Sequence, residues 1–117
     1  TKRRLMIVKN GISIGEMSYY NLGDNIAEIG IKICKTDYQE KGLGRVVLSM
    51  LIRELFKQGY QKIKLDTNLK NKRAQYVYEK LGFSKVAIRE NCWKDQLGNL
   101  QSAVDYELTQ DAFIAYL

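Results

Sequence analysis

The chain has 117 residues, 45% of them hydrophobic, and a formal net charge of +6 from 19 Lys and Arg against 13 Asp and Glu. That length suits one domain with its own core, and that hydrophobic content excludes a disordered chain. Histidine is absent, which excludes a Ser-His-Asp triad, a Cys-His pair and His-ligated zinc, and leaves acid–base work to Glu, Asp, Tyr, Lys or Cys.

In chain order, residues 5–9 and 12–20 read as two strands around Asn10-Gly11. Asn-Gly between apolar runs is a hairpin signal, because both central turn residues must take positive φ. Residues 22–25, Leu-Gly-Asp-Asn, read as a second turn. Residues 26–34 alternate as a third strand, with Ala27, Ile29, Ile31 and Ile33 on one face and Glu28, Gly30, Lys32 and Cys34 on the other. A helix follows over 43–57. Leu43, Val46, Val47, Met50, Leu51 and Leu55 take helical spacing, and Leu48, Ile52 and Phe56 widen the stripe into that of a deeply buried helix closed by Gly59.

Residues 62–68 read as a strand with Ile63 and Leu65 inward. Asn71 is suited to cap a second helix over 72–81, stopped by Gly82. Strands over 83–93 and 100–109 join through a turn at 95–99, and Thr109 with Asp111 suits the start of a short terminal helix. The order implies an α/β sandwich on a mixed sheet. No apolar run approaches the roughly 20 residues of a membrane span. Cys34 and Cys92 form neither a C-x-x-C nor a metal cluster, so no metal is expected; reduced thiols and a cytoplasmic location are the default, with a Cys34–Cys92 disulfide as the alternative.

The segment 39–45, Q-E-K-G-L-G-R, enters the first helix. Gly42 and Gly44 lack Cβ atoms, so backbone can approach a ligand closely there. The first-turn N–H groups and helix dipole suit a phosphate, with added charge from Lys41 and Arg45. A G-x-G alone is weak: the dinucleotide fingerprint fails because Val47 holds its third glycine position.

Two motifs together are specific. Q-x-x-G-x-G after the strand A-E-I-G-I-K-I resembles the acetyl-CoA signature of the GNAT superfamily of N-acetyltransferases, and N-K-R-A-Q-Y-V-Y-E-K-L-G-F resembles that family's N-x-x-A-x-x-x-Y-x-x-x-G-F segment. The resemblance spans about residues 5–108 and implies a centrally splayed mixed sheet flanked by helices. The family's first strand and first helix pair are missing from these 117 residues, which are expected to form one GNAT domain core, N-terminally incomplete if those elements lie upstream in a longer chain and otherwise a minimal core.

The resemblance further implies that CoA pyrophosphate lies on Gln39, Lys41, Gly42, Leu43, Gly44 and Arg45. The pantetheine arm would pair with Ile33, Cys34 and Lys35 at the end of the third strand. Asn71 matches a pantetheine-contacting position and is equally an N-cap. Tyr78 matches the tyrosine that protonates the departing thiolate; its alternative is a core aromatic. Glu28 matches a strand glutamate that removes the amine proton, a role suited to a half-buried carboxylate beside a cleft; its alternative is an exposed strand residue, or one salt-bridged to Lys32. The C-terminal hairpin is similar to that of the branch holding ribosomal-protein N-terminal and small-amine acetyltransferases, with Trp93, Tyr106 and Glu107 either lining the acceptor site or packing the hairpin.

The function implied is acetyl transfer from acetyl-CoA to a primary amine, on a small molecule, a protein N-terminus or a lysine, by direct attack in a ternary complex. Oligomeric state is open, a homodimer included. The alternative is a non-catalytic acyl-CoA-binding module. A third class, a nucleic-acid binder using Lys62, Lys64, Lys70, Lys72 and Arg73, is disfavoured because that run lacks stacking aromatics and reads as a solvated face.

Overall fold

The computed structural model describes the backbone of residues 2–9, 12–33 and 43–115, and the side chains of 17–30 and 45–115. Strands β1 (Lys2–Lys9), β2 (Ile12–Gly23) and β3 (Ile26–Ile33) precede helix α1 (Leu43–Lys57), strand β4 (Lys62–Asn68) and helix α2 (Lys72–Lys80). Strands β5 (Ser84–Lys94) and β6 (Leu100–Thr109) close the sheet, followed by a 3-10 turn at Gln110–Ala112. The six strands lie in the order β1-β2-β3-β4-β6-β5, with β3 and β4 parallel and the other neighbouring pairs antiparallel. Helix α1 forms the crossover that a parallel pair requires.

Lys9 lies opposite Ile12 at the end of the β1–β2 ladder, and the Asn10-Gly11 turn expected there lies outside the described residues. Between β2 and β3 the backbone turns through Asp24 (φ 54°) and Asn25 (φ 61°), the residue types that tolerate the left-handed region best after glycine.

One sheet face is apolar and the other polar. Ala27, Ile29, Ile63, Leu65, Val104, Tyr106 and Leu108 form a single buried cluster with Leu48, Leu51, Ile52, Leu55 and Phe56 of α1 and with Tyr78, Leu81 and Phe83 at and after α2. Both helices therefore serve one core on one side of the sheet. Helix α1 is not buried all round, contrary to the expectation from its wide stripe: Val46 is 39% and Met50 54% exposed. A helix lying on one sheet offers it one face, and these two residues occupy the other.

The chain end also departs from expectation. The short helix expected after Thr109 is a 3-10 helix with Asp111 in its first turn, but Thr109 makes no capping bond; its hydroxyl donates to Asp111 Oδ1 at 2.6 Å instead. This turn packs under the end of α2. Ile114 N–H donates to the Leu81 carbonyl at 2.9 Å, and Gly82 (φ +101°) sits so close that a Cβ there would collide with the Ala112 carbonyl. Substituting Gly82→Ala combines left-handed strain with backbone overlap. We expect a loss of roughly 2–4 kcal/mol in chemical denaturation; an unchanged midpoint would mean that the 110–112 turn yields freely.

Candidate active site

The sheet opens at its centre. Strands β3 and β4 pair at Ile26↔Lys62, Ala27↔Ile63 and Glu28↔Lys64, and among the described residues the ladder ends there. Strand β3 continues to Ile33 beside β2, and β4 continues to Asn68 beside β6. Their inner edges therefore diverge, with peptide groups that no described strand occupies. Such edges can pair with an extended amide-bearing ligand, and the carboxyl ends of parallel strands are where open α/β sheets bind ligands.

Tyr78 lies level with this opening. Its ring packs edge-on against Phe83 (centroids 6.0 Å apart) and Tyr106 (5.7 Å). Tyr106 is opposite Leu65, the first residue of β4 beyond the β3 ladder. Burial, and then the negative charge of Asp66, push the Tyr78 pKa up from 10.0 to about 12, so the phenol keeps its proton across the neutral range. The Tyr78 hydroxyl makes no hydrogen bond to another described residue, while every fully buried polar side-chain atom among them has a partner. The neighbouring Tyr106 hydroxyl is committed elsewhere, donating to Glu79 Oε2 at 2.8 Å.

Helix α2 is set firmly under the cleft. Asn71 caps it, its Oδ1 accepting from Ala74 N–H at 3.1 Å, and buried Gln75 donates to the Leu69 carbonyl at 2.8 Å. The N-cap reading of Asn71 thus holds, and it leaves the amide nitrogen available to a ligand. Tyr76 lies outside, 57% exposed, under the Lys80 ammonium.

Among the described side chains, the polar sheet face bears four carboxylates in different states. Glu107 is paired with Lys62 (3.2 Å) and Lys64 (3.8 Å). Asp105 takes two hydrogen bonds from Arg89, from Nε at 2.9 Å and Nη2 at 2.8 Å, and Asp66 Oδ2 takes a third from Nη2 at 2.7 Å. The bonds and charge of Asp105, then those of Asp66, raise the Arg89 pKa further above its usual value. Glu28 is exposed and has no ion-pair partner among the described residues. Of the two readings of Glu28, the structure shows the exposed strand residue and not the half-buried carboxylate.

Beside this network lies an open pocket of about 290 Å³ lined by Asp66, Thr67, Asn68, Arg89, Cys92, Trp93 and Ala103. A bulge makes it. The β5–β6 register slips between Arg89 and Trp93, Asn91 takes φ 50°, and the extra residues swing Cys92 and Trp93 to the rim. Asn68 donates to Gln101 and Gln101 to Asp95, at 3.0 and 2.9 Å, bracing the end of β4 against the β5–β6 turn. Cys92 is an exposed free thiol.

The sequence pattern of the Acetyltransferase (GNAT) family matches residues 2–83. The chain belongs to the GNAT acetyltransferase family. It is 33% identical over 100 residues to a [Ribosomal protein bS18]-alanine N-acetyltransferase of Haemophilus influenzae, an alignment covering 86% of this chain and 67% of that protein. The Escherichia coli K12 protein of the same name is 46% identical over 55 residues, 47% of this chain and 37% of that one. The crystal structure of the ribosomal-protein-S18-alanine N-acetyltransferase from Escherichia coli superposes with a TM-score of 0.80 at 28% identity, covering 98% of this chain and 72% of that one. A spermidine N-acetyltransferase chimera from Vibrio cholerae and hSSAT shares the fold, with a TM-score of 0.84 at 23% identity, over 94% of this chain and 70% of that one.

The GNAT membership and splayed sheet are those expected from the two motifs. Of the residues expected to hold the cofactor, Cys34, Lys35, Gln39, Lys41 and Gly42 lie outside the described residues. Ile33 ends β3, Leu43 and Gly44 open α1, and Arg45 is partly buried in its first turn. Tyr78 and Asn71 stand on α2 as placed by the motif. Among the hairpin residues, Trp93 lines the pocket, while Tyr106 belongs to the core and Glu107 to the lysine pairs. Sequence reasoning passed over Asp66 and Arg89. Asp66 had a usable signal, an acid on the polar register of β4 near the carboxyl end of a parallel strand. Arg89 had none, because its partners are 16 and 23 residues away.

Among the described residues no group of three potential ligands gathers to hold a metal ion, and no helix is long and apolar enough to cross a membrane.

Proposed function

We propose that this chain is the core of one GNAT domain that transfers the acetyl group of acetyl-CoA to a primary amine in a ternary complex, in the cytoplasm. The acceptor favoured is the N-terminal α-amine of a ribosomal protein, as in the names of the relatives. The observation that carries the reading is the splay, with a protonated tyrosine level with it on one side and an acid-bordered pocket on the other. The α1 entry and β3 edge would hold the cofactor, with Ile33, Cys34 and Lys35 pairing its pantetheine and residues Gln39 to Arg45 receiving its pyrophosphate.

The acceptor ammonium first gives a proton to a carboxylate, Glu28 or Asp66. The free amine nitrogen then attacks the thioester carbonyl carbon, forming the C–N bond. The C–S bond breaks, the Tyr78 hydroxyl donates its proton to the leaving thiolate sulfur, and the nitrogen sheds its second proton, which returns through solvent to Tyr78. Chemistry favours an α-amine: near pK 8 it is roughly a tenth free base at pH 7, whereas fewer than about one lysine in a thousand is. A site without histidine gains from an acceptor that needs little deprotonation.

The test is thiol release from acetyl-CoA with an Ala-initiated peptide, spermidine and a lysine peptide, alongside thermal shift with acetyl-CoA alone. We expect stabilisation that grows with acetyl-CoA excess over Kd and fastest release with the Ala peptide. Stabilisation without release for any amine would make this a CoA-binding module; neither effect would refute the cofactor site.

A further inference from the structure

We propose that Arg89, braced by Asp105, is a positioning residue that fixes Asp66 at the pocket so that Asp66 Oδ1 receives the acceptor's N–H; this rests on the transferase reading above.

The four described carboxylates of this face are unequal as receptors for an ammonium. Glu107 is satisfied by two lysines, and both oxygens of Asp105 are taken by Arg89. Asp66 spends Oδ2 on Arg89, and its Oδ1 accepts no hydrogen bond from any described residue. Asp66 also lines the pocket, and its charge is felt at Tyr78. It is thus the carboxylate that is at once oriented, half-vacant and coupled to the proton donor.

The orientation comes from the shape of the guanidinium. Two parallel bonds to Asp105 set the plane of Arg89, and the second hydrogen of Nη2 then points in a fixed direction at Asp66. An exposed ion pair contributes little to stability, so this network is poorly explained as a structural staple: the Asp66 and Arg89 side chains are 58% and 48% exposed. Two carboxylates against one guanidinium leave one net negative charge, which attracts a cation and repels an anionic acceptor. A lysine in place of Arg89 would keep the charge but lacks the fork, and cannot hold three oxygens in one plane.

The experiment measures thiol release by the parent and by Arg89→Gln, Arg89→Lys and Asp105→Asn, with an Ala-initiated hexapeptide as acceptor. Arg89→Gln should lower kcat/KM for the peptide about 10- to 100-fold, the scale of a misplaced reacting group, with KM for acetyl-CoA unchanged. Arg89→Lys should restore little of it, and Asp105→Asn should lose in the same direction to a smaller extent. Adding Arg89→Gln to Asp66→Asn should cost little further, since the two act through one carboxylate. An active parent whose Arg89→Lys variant keeps the parent rate, or whose Asp66 and Arg89 losses multiply independently, would overturn the positioning role alone. A parent that releases no thiol with any amine would take the transferase reading down with it. Melting temperatures of each variant separate these outcomes from misfolding, and Asp105→Asn supplies the reading if Arg89→Gln fails to fold.

Discussion

Replacing Tyr78 by Phe is expected to lower turnover about 10²-fold or more while leaving KM for acetyl-CoA close to its parent value. The hydroxyl has no partner among the described residues and does nothing for the ring packing with Phe83 and Tyr106, so Phe preserves the core. In the proposed mechanism, only the departing sulfur loses a donor. A second consequence concerns pH. The folded protein raises the Tyr78 pKa from 10.0 to about 12, so the folded state holds this proton more tightly than the unfolded chain. The associated stability is complete below pH 10 and is lost as pH rises through 12, a difference of about 3 kcal/mol. Tyr78→Phe should remove that part of the alkaline destabilisation. Equal turnover by the two proteins would leave Tyr78 a core aromatic and no more.

The second large effect is expected at the proton acceptor. Asp66→Asn keeps size and hydrogen bonding but removes the base, and should cost about 10²-fold in kcat/KM for an α-amine at pH 7. The loss should shrink as rising pH supplies free amine from solution. Glu28→Gln is expected to cost less, on the order of tenfold, because Glu28 lies two residues back along the paired part of the sheet and does not line the pocket. A larger loss in Glu28→Gln would assign the proton to Glu28. Parent-like rates and pH profiles in both would leave proton removal to solvent, and the enzyme would work by positioning alone.

The fold was legible where local chemistry and burial agreed. Helix α1 and strands β4 and β6 fall at the expected residues, because an apolar period broken by Gly59, or by alternating charges, has one stable solution. Exposure on α1 was misjudged because Val46 and Met50 continue an apolar stripe that the sheet does not reach. The capping bond of Thr109 was misjudged because its hydroxyl turns to the Asp111 carboxylate instead of a helix N–H. The family could be read because its two motifs are each contiguous in sequence. The Arg89 network could not, because strand order places β6 between β4 and β5, and no local pattern encodes which side chains then meet.

The β5–β6 register also governs what happens outside the molecule. Strand β5 is the sheet edge, and all eleven of its residues are exposed. Its pairing shifts between Lys85 and Ala87 and again between Arg89 and Trp93, so the longest uninterrupted run, Ala87 to Arg89, is three residues. An incoming strand from another molecule needs evenly spaced donors and acceptors over a longer stretch than that. The irregularity that carries Cys92 and Trp93 to the pocket thereby guards the open border against intermolecular strand addition, and Lys85 and Lys94 near its ends add like-charge repulsion. Straightening the bulge to improve local regularity would damage the pocket and create a surface prone to aggregation.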